Sequence, residues 1–337
     1  MAAEPTLANV TFLRVVGGSN LGSWVHRGES AARLVNATTN SCAEAANSSL
    51  RADVYVHVKG RCEALLTLQP DATHVIDLID DTHDPKGMQA GFDAVLMNTD
   101  EQLEEECYGP VCAAVPHHYN LPCEPRAQWQ PELAITHPVG LLGWSFNVSN
   151  LTMTLAGHVT TPLLSEKDAA RHGGSPCDFM KRVGSAIAWQ KALQDAPVER
   201  MANALWLNVP VIAHPHQRAF REYADVGPFL CATGACMNRT LERYARHELD
   251  EPYARLRSEV MHDVEPQHVA GLYRRAFEEA AKAKRARAES AVSYSNNDVF
   301  TSGQLLQHAA GVLAPAPRER LVLSARAPPQ RVILHAT

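Results

Sequence analysis

A five-residue apolar run, Val209-Pro210-Val211-Ile212-Ala213, constrains this chain more than any other stretch. It is the short, β-branched segment that a buried parallel strand requires. Before it, Val198 to Leu207 is rich in helix formers, with Val198, Met201, Ala202, Leu205 and Trp206 at helical spacing and Asn208 as the stop. After it come the polar residues His214 to Gln217 and the start of a new helix at Arg218 to Tyr223. Helix, buried strand, polar loop, helix is one step of a doubly wound α/β domain. Ligands of such sheets bind outside the carboxyl ends of the strands, so 214–222 is expected to border a cleft.

The same pattern opens the chain. Val10 to Val16 reads as a strand, Gly17 to Trp24 as a Gly-rich turn, and His26 to Val35 as a helix. Gly18 and Asn20 lie in that turn, where small residues allow close backbone approach, and Arg27 at the helix start is placed to reach a phosphate or to sit exposed on the surface. Further strands are expected at 52–59, 72–78, 92–98 and 112–115. A helix over Asp100 to Glu106 is capped by Thr99, with acids in its first turn. The last of these strands ends in Pro116-His117-His118, two imidazoles able to bond or protonate a phosphate. Residues 1–122 form the first expected domain and the Pro-rich segment 123–138 a linker. The second domain spans 139–290. It holds strands at 139–146, 185–190 and 226–231, glycines at 140 and 143, and helices at 237–247, 251–262 and 266–285. Lys282 to Arg287 reads as a solvated basic face, and 291–337 as a partly disordered tail.

A helix leading into a VPVIA strand, then a loop and a downstream Glu, resembles the donor-binding half of GT-B glycosyltransferases. The best-known version carries two Glu eight positions apart, the second seven before the strand's Pro. Those positions hold Asp195 and Asn203 here. The resemblance covers about 9 to 285 and is strongest over 185–222. It implies two Rossmann-like parallel-sheet α/β domains with a cleft between them, and a nucleotide-sugar donor bound as substrate without a metal or separate cofactor. Asp195 and His117 become the catalytic candidates. Gly18, Asn20, Arg27, Lys191, Arg200, Asn203 and Glu222 become the donor-binding ones, with Arg200 and Lys191 supplying positive charge, Asn203 meeting hydroxyls, and Glu222 binding sugar or capping a helix. The acceptor, a glycan, protein or small molecule, is left open. Because Asn203 replaces an acid, a non-catalytic carbohydrate- or nucleotide-binding protein on the same fold is the alternative. A different two-domain α/β enzyme would instead use the acid-rich segment Asp77 to Asp84, whose carboxylates and His83 suit a divalent metal or helix capping.

Net charge is −6, which makes nucleic acid an unsuitable partner, and no run of 18 apolar residues exists to cross a membrane. Eight Cys and six Asn-X-Ser/Thr sites, at Asn9, Asn36, Asn47, Asn147, Asn150 and Asn238, point to the lumen of the secretory pathway. Cys107 with Cys112, and Cys231 with Cys236, are close enough for loop-closing disulfides. The opening MAAEPTLANVTFLRVV has no basic region followed by an apolar core, so no signal peptide is expected in it. A missing leader would reconcile these features; a cytoplasmic chain with free thiols and unused sequons is the alternative.

Overall fold

Strands Val54–Val58 (β3), Thr73–Asp77 (β4) and Ala94–Met97 (β5) are buried at every position, as strands covered on both faces must be. The computed structural model describes residues 9–15, 24–48, 51–78, 84–119, 123–142, 163–165, 175–188, 198–297, 320–324 and 330–332. With Val10–Arg14 (β1), Thr38–Ser41 (β2) and Val111–Ala114 (β6), these strands form a parallel sheet in the order β6-β5-β4-β3-β1-β2. A smaller parallel sheet contains Val139–Leu142 (β7), Leu163–Ser165 (β8), Ser185–Ala188 (β9) and Val211–Ala213 (β10), in the order β10-β9-β7-β8. Two parallel α/β layers were expected, and two are present.

In the first half, a π-helical turn at Trp24–Ser30 leads into Ala31–Val35 (α1). Cys42–Asn47 (α2), Glu63–Leu68 (α3), Pro85–Gln89 (α4) and Asp100–Glu106 (α5) connect the strands. Thr99 caps α5 as expected, its Oγ1 accepting the Gln102 N–H at 2.9 Å. In the second half, Leu133–Thr136 (α6), Pro176–Arg182 (α7), Glu199–Trp206 (α8), Arg218–Arg221 (α9), Gly234–Ala245 (α10) and Asp250–Asp263 (α11) surround the smaller sheet. Gly140 of β7 is there for packing: a Cβ on it would lie 2.9 Å from Val183 and 3.0 Å from Phe179.

The segment 123–138 is laid onto the second half. Cys123 is bonded to Cys177, Trp129 stacks on Tyr253 at 3.9 Å, and Arg126 donates to the carbonyls of Met180 and Val183. The last described helix, Pro266–Asn297 (α12), crosses back. Its Val269, Leu272, Tyr273 and Phe277 share one core with Phe12, Val56 and Val75 of the first sheet. The expected second domain therefore loses its last helix to the first. The basic stretch on α12 is also more than a solvated face, because Lys284 and Arg287 both pair with Asp93.

Two further expectations are corrected. The tail contributes strands: Arg320–Leu323 (β11) pairs in parallel with β6, and Gln330–Val332 (β12) pairs antiparallel with β11. Residues 226–231 are not a strand; Ala224–Phe229 is a 3-10 turn with Pro228 inside it, and only Leu230 bridges to Ala213. Pro228 has no N–H to give a ladder. All eight Cys pair, as Cys42–Cys62, Cys107–Cys112, Cys123–Cys177 and Cys231–Cys236. No described helix is long and apolar enough to cross a membrane.

Candidate functional site

The carboxyl ends of both sheets meet in one small recess. Asn98, Thr99 and Asp100 reach it from the end of β5, and Ala114 and Pro116 from the end of β6. The second half supplies Val198 at the start of α8, then Ala219, Glu222 and Tyr223 from the segment after β10, and Asp263 at the end of α11. The stretch after the VPVIA strand therefore does border a cleft.

His117 bridges the two halves. It follows β6, is 4% exposed, and places Nδ1 3.5 Å from Oε2 of Glu199, the first residue of α8. The adjacent His118 turns the other way, its Nε2 lying 3.0 Å from Ser30 Oγ in the first half. Arg200 and Asn203 are one turn apart on α8, and Asn203 stands four residues after Glu199, so it shares that residue's side of the helix. Arg200 is half-buried and Asn203 is 9% exposed.

Glu222 spans the interface rather than lying free for a sugar: its Oε1 accepts the Glu101 N–H, in the first turn of α5, at 3.0 Å. An acid at a helix start is favourable there, and here the helix belongs to the other half. Arg218, 9% exposed, reinforces this junction by pairing with Glu105 at 2.6 Å, Glu106 at 3.2 Å and Glu101 at 3.5 Å. Arg221 bonds Glu101 at 2.7 Å. Residues Glu199 and Arg218 were not singled out from the sequence. An acid in a helix's first turn and an Arg opening the helix after the cleft loop were the available signals.

Arg27 is a correction. It is 1% exposed, and its guanidinium is held by both carboxylate oxygens of Asp77 at 2.8–3.0 Å and by the Val115 carbonyl at 2.5 Å. Tyr273 of α12 stacks on the same guanidinium at 5.7 Å and donates to Asp77 at 3.5 Å. Burial, followed by the Arg27 and Asp77 charges in opposing senses, moves the Tyr273 phenol well above its ordinary range. A guanidinium so enclosed is not presented to a phosphate. Its partner Asp77 is likewise taken out of the acid-rich segment, and Asp84 caps α4 by accepting the Gly87 N–H at 2.9 Å. No group of three or more His, Cys, Asp or Glu is arranged to hold a metal among the described residues. Gly18, Asn20, Lys191 and Asp195 lie outside those residues.

No family model matches the chain, and no curated protein does. Among solved structures, the fold is similar to AviGT4, a glycosyltransferase involved in avilamycin A biosynthesis. The TM-score is 0.52 at 11% identity, over 81% of this chain and 98% of that one. CalG4, the calicheamicin glycosyltransferase, also matches, at TM-score 0.43 and 13% identity over 80% and 97%. The likeness to AviGT4 is one of fold: the chain has the GT-B architecture.

Proposed function

We propose that this chain is a glycosyltransferase that binds a nucleotide-sugar donor in the cleft between its two sheets and passes the sugar to an acceptor hydroxyl. The observation that carries the reading is His117 set against Glu199 across the cleft, beside a recess built from both halves. In the reaction the bond from the sugar's anomeric carbon to the diphosphate breaks, a bond from that carbon to the acceptor oxygen forms, and the acceptor's hydroxyl proton leaves with the diphosphate. His117, oriented by Glu199, hydrogen-bonds or protonates the departing diphosphate. Arg200 supplies positive charge to the diphosphate and Asn203 meets hydroxyl groups. We also assign Lys191, Gly18 and Asn20 to donor binding and Asp195 to catalysis. Asp100 and Asp263 make the recess acidic. That suits hydroxyl-rich sugar rather than phosphate, because carboxylates accept hydrogen bonds from hydroxyls and repel a like charge. The four disulfides support an oxidising working compartment, and we assign the secretory lumen.

The test is nucleotide release from a panel of sugar nucleotides, in EDTA, with His117→Ala beside the wild type. Turnover of one donor class that His117→Ala abolishes without loss of donor binding supports catalysis. Binding without turnover in either protein replaces this reading by that of a carbohydrate- or nucleotide-binding protein, which Asn203 in place of an acid favours.

A further inference from the structure

The amino-terminal rim of the first sheet, opposite the recess, gathers three of the six sequons. Asn9 directly precedes β1 and Asn36 stands two residues before β2; their sequon threonines, Thr11 and Thr38, are register partners whose hydroxyls lie 2.8 Å apart. α2 begins at Cys42, which is bonded to Cys62 beyond the carboxyl end of β3, so the helix runs back toward the amino rim and ends there at Asn47. Residues 51–53 close this corner. The Asn9 side-chain amide donates to the Arg51 carbonyl at 2.6 Å, and its backbone N–H donates to Asp53 at 3.0 Å.

The acceptor groups differ sharply. The Asn9 amide is spent on Arg51. Asn238 lies inside α10, its amide donating to Glu242 at 3.3 Å and its sequon Thr240 buried against Cys231. Asn36 and Asn47 are both exposed at helix ends, Asn36 in the left-handed conformation at φ 58°, which Asn tolerates better than most residues. Both flank β2, the outermost strand of the sheet among the described residues, an edge position that invites association.

We propose that Asn36 and Asn47 carry N-linked oligosaccharides, which give the first domain a glycan-bearing rim turned away from the cleft and cover its outer edge. The co-reactant is an oligosaccharide joined through a diphosphate to a lipid carrier. The Asn amide nitrogen bonds the anomeric carbon, the carbon–oxygen bond to the diphosphate breaks, and the amide proton leaves with the lipid diphosphate. The pairing of all eight Cys puts the chain where this chemistry operates.

The experiment is peptide mapping of the full chain, secreted from a eukaryotic line behind a supplied leader. Amidase removal of N-glycans in ¹⁸O water converts each occupied Asn to labelled Asp. Label at positions 36 and 47 is expected. Thr38→Ala and Asn47→Gln should each lower the intact mass by one glycan, while Thr38→Ser, which keeps the hydroxyl, should not. Unlabelled 36 and 47 in protein with all four disulfides formed, or label at Asn238 alone, would overturn the proposal.

Discussion

Replacing Arg27 by Met separates a structural guanidinium from a phosphate-binding one. The change keeps much of the aliphatic stem but removes every bond to Asp77 and the Val115 carbonyl. Asp77 is fully buried and would lose its guanidinium partner, keeping the long contact to the Tyr273 hydroxyl. Breaking a buried pair by removing one partner costs about 3–5 kcal/mol, most of it from the stranded charge. A chain of 337 residues unfolds with an entropy of roughly 0.7 kcal/mol/K, so the melting temperature should fall by about 4–7 °C if it melts as one unit. Adding Asp77→Asn removes the stranded charge and should return part of that loss. Differential scanning calorimetry reads stability, and titration calorimetry at 10 °C reads nucleotide affinity of the folded variant. Unchanged affinity with the lowered melting temperature is expected. An unchanged melting temperature with weakened nucleotide binding would refute the reasoning and return Arg27 to the donor site.

Three other perturbations have definite outcomes. His57 and His74 form a buried neutral relay: the Cys62 N–H donates to His57 Nδ1, so His57 Nε2–H points at His74 Nδ1, and His74 Nε2–H at the Gln69 carbonyl. Burial, reinforced for His57 by the neighbouring imidazole, lowers both below the ordinary value of 6.5. The folded protein therefore binds fewer protons than the unfolded chain. Stability from this pair is complete above pH 6.5 and is lost as pH falls below it; urea titrations from pH 7.5 to 5 should show the decline, and His57→Gln should flatten it. Arg218→Ala leaves three Glu of α5 without their shared partner. It should cost about 1–3 kcal/mol, less in high salt, and enlarge the radius of gyration seen by X-ray scattering. The Cys123–Cys177 bridge closes a separation of 54 residues against 5 for Cys107–Cys112, so chain entropy predicts losses of about 4 and about 2 kcal/mol on replacing each pair by Ala, read by urea unfolding.

What the sequence disclosed follows physical rules of range. β5 is a continuous apolar run, β3 and β4 carry β-branched apolar residues at their centres, and α5 carries its own cap, so all were readable locally. The VPVIA segment gave the helix-strand-helix step and the side of the sheet where the recess lies. β2 was missed because Thr38 to Ser41 is wholly polar, and β11 because four residues amid Pro and Arg carry no period. The crossing of α12 to the first core depends on first-sheet partners over 150 positions earlier in the chain, which an amphipathic pattern cannot name. Arg27 was misread for the same reason, since its carboxylate lies 50 residues downstream. At the site, His117 was legible from its place after a strand, whereas its pairing with Glu199 exists only once two sheets face each other.

The central claim is that the interdomain cleft holds a nucleotide sugar. The most direct measurement is the melting temperature of the intact chain against rising concentrations of UDP, GDP and their sugar derivatives in EDTA, with Arg200→Ala alongside. A ligand at one hundred times its dissociation constant adds about 2.7 kcal/mol of stability, roughly 4 °C here. The account predicts such a rise for one base class, reduced in Arg200→Ala, and unaffected by magnesium. No rise with any nucleotide, or a rise that Arg200→Ala leaves intact and that requires metal, would contradict it.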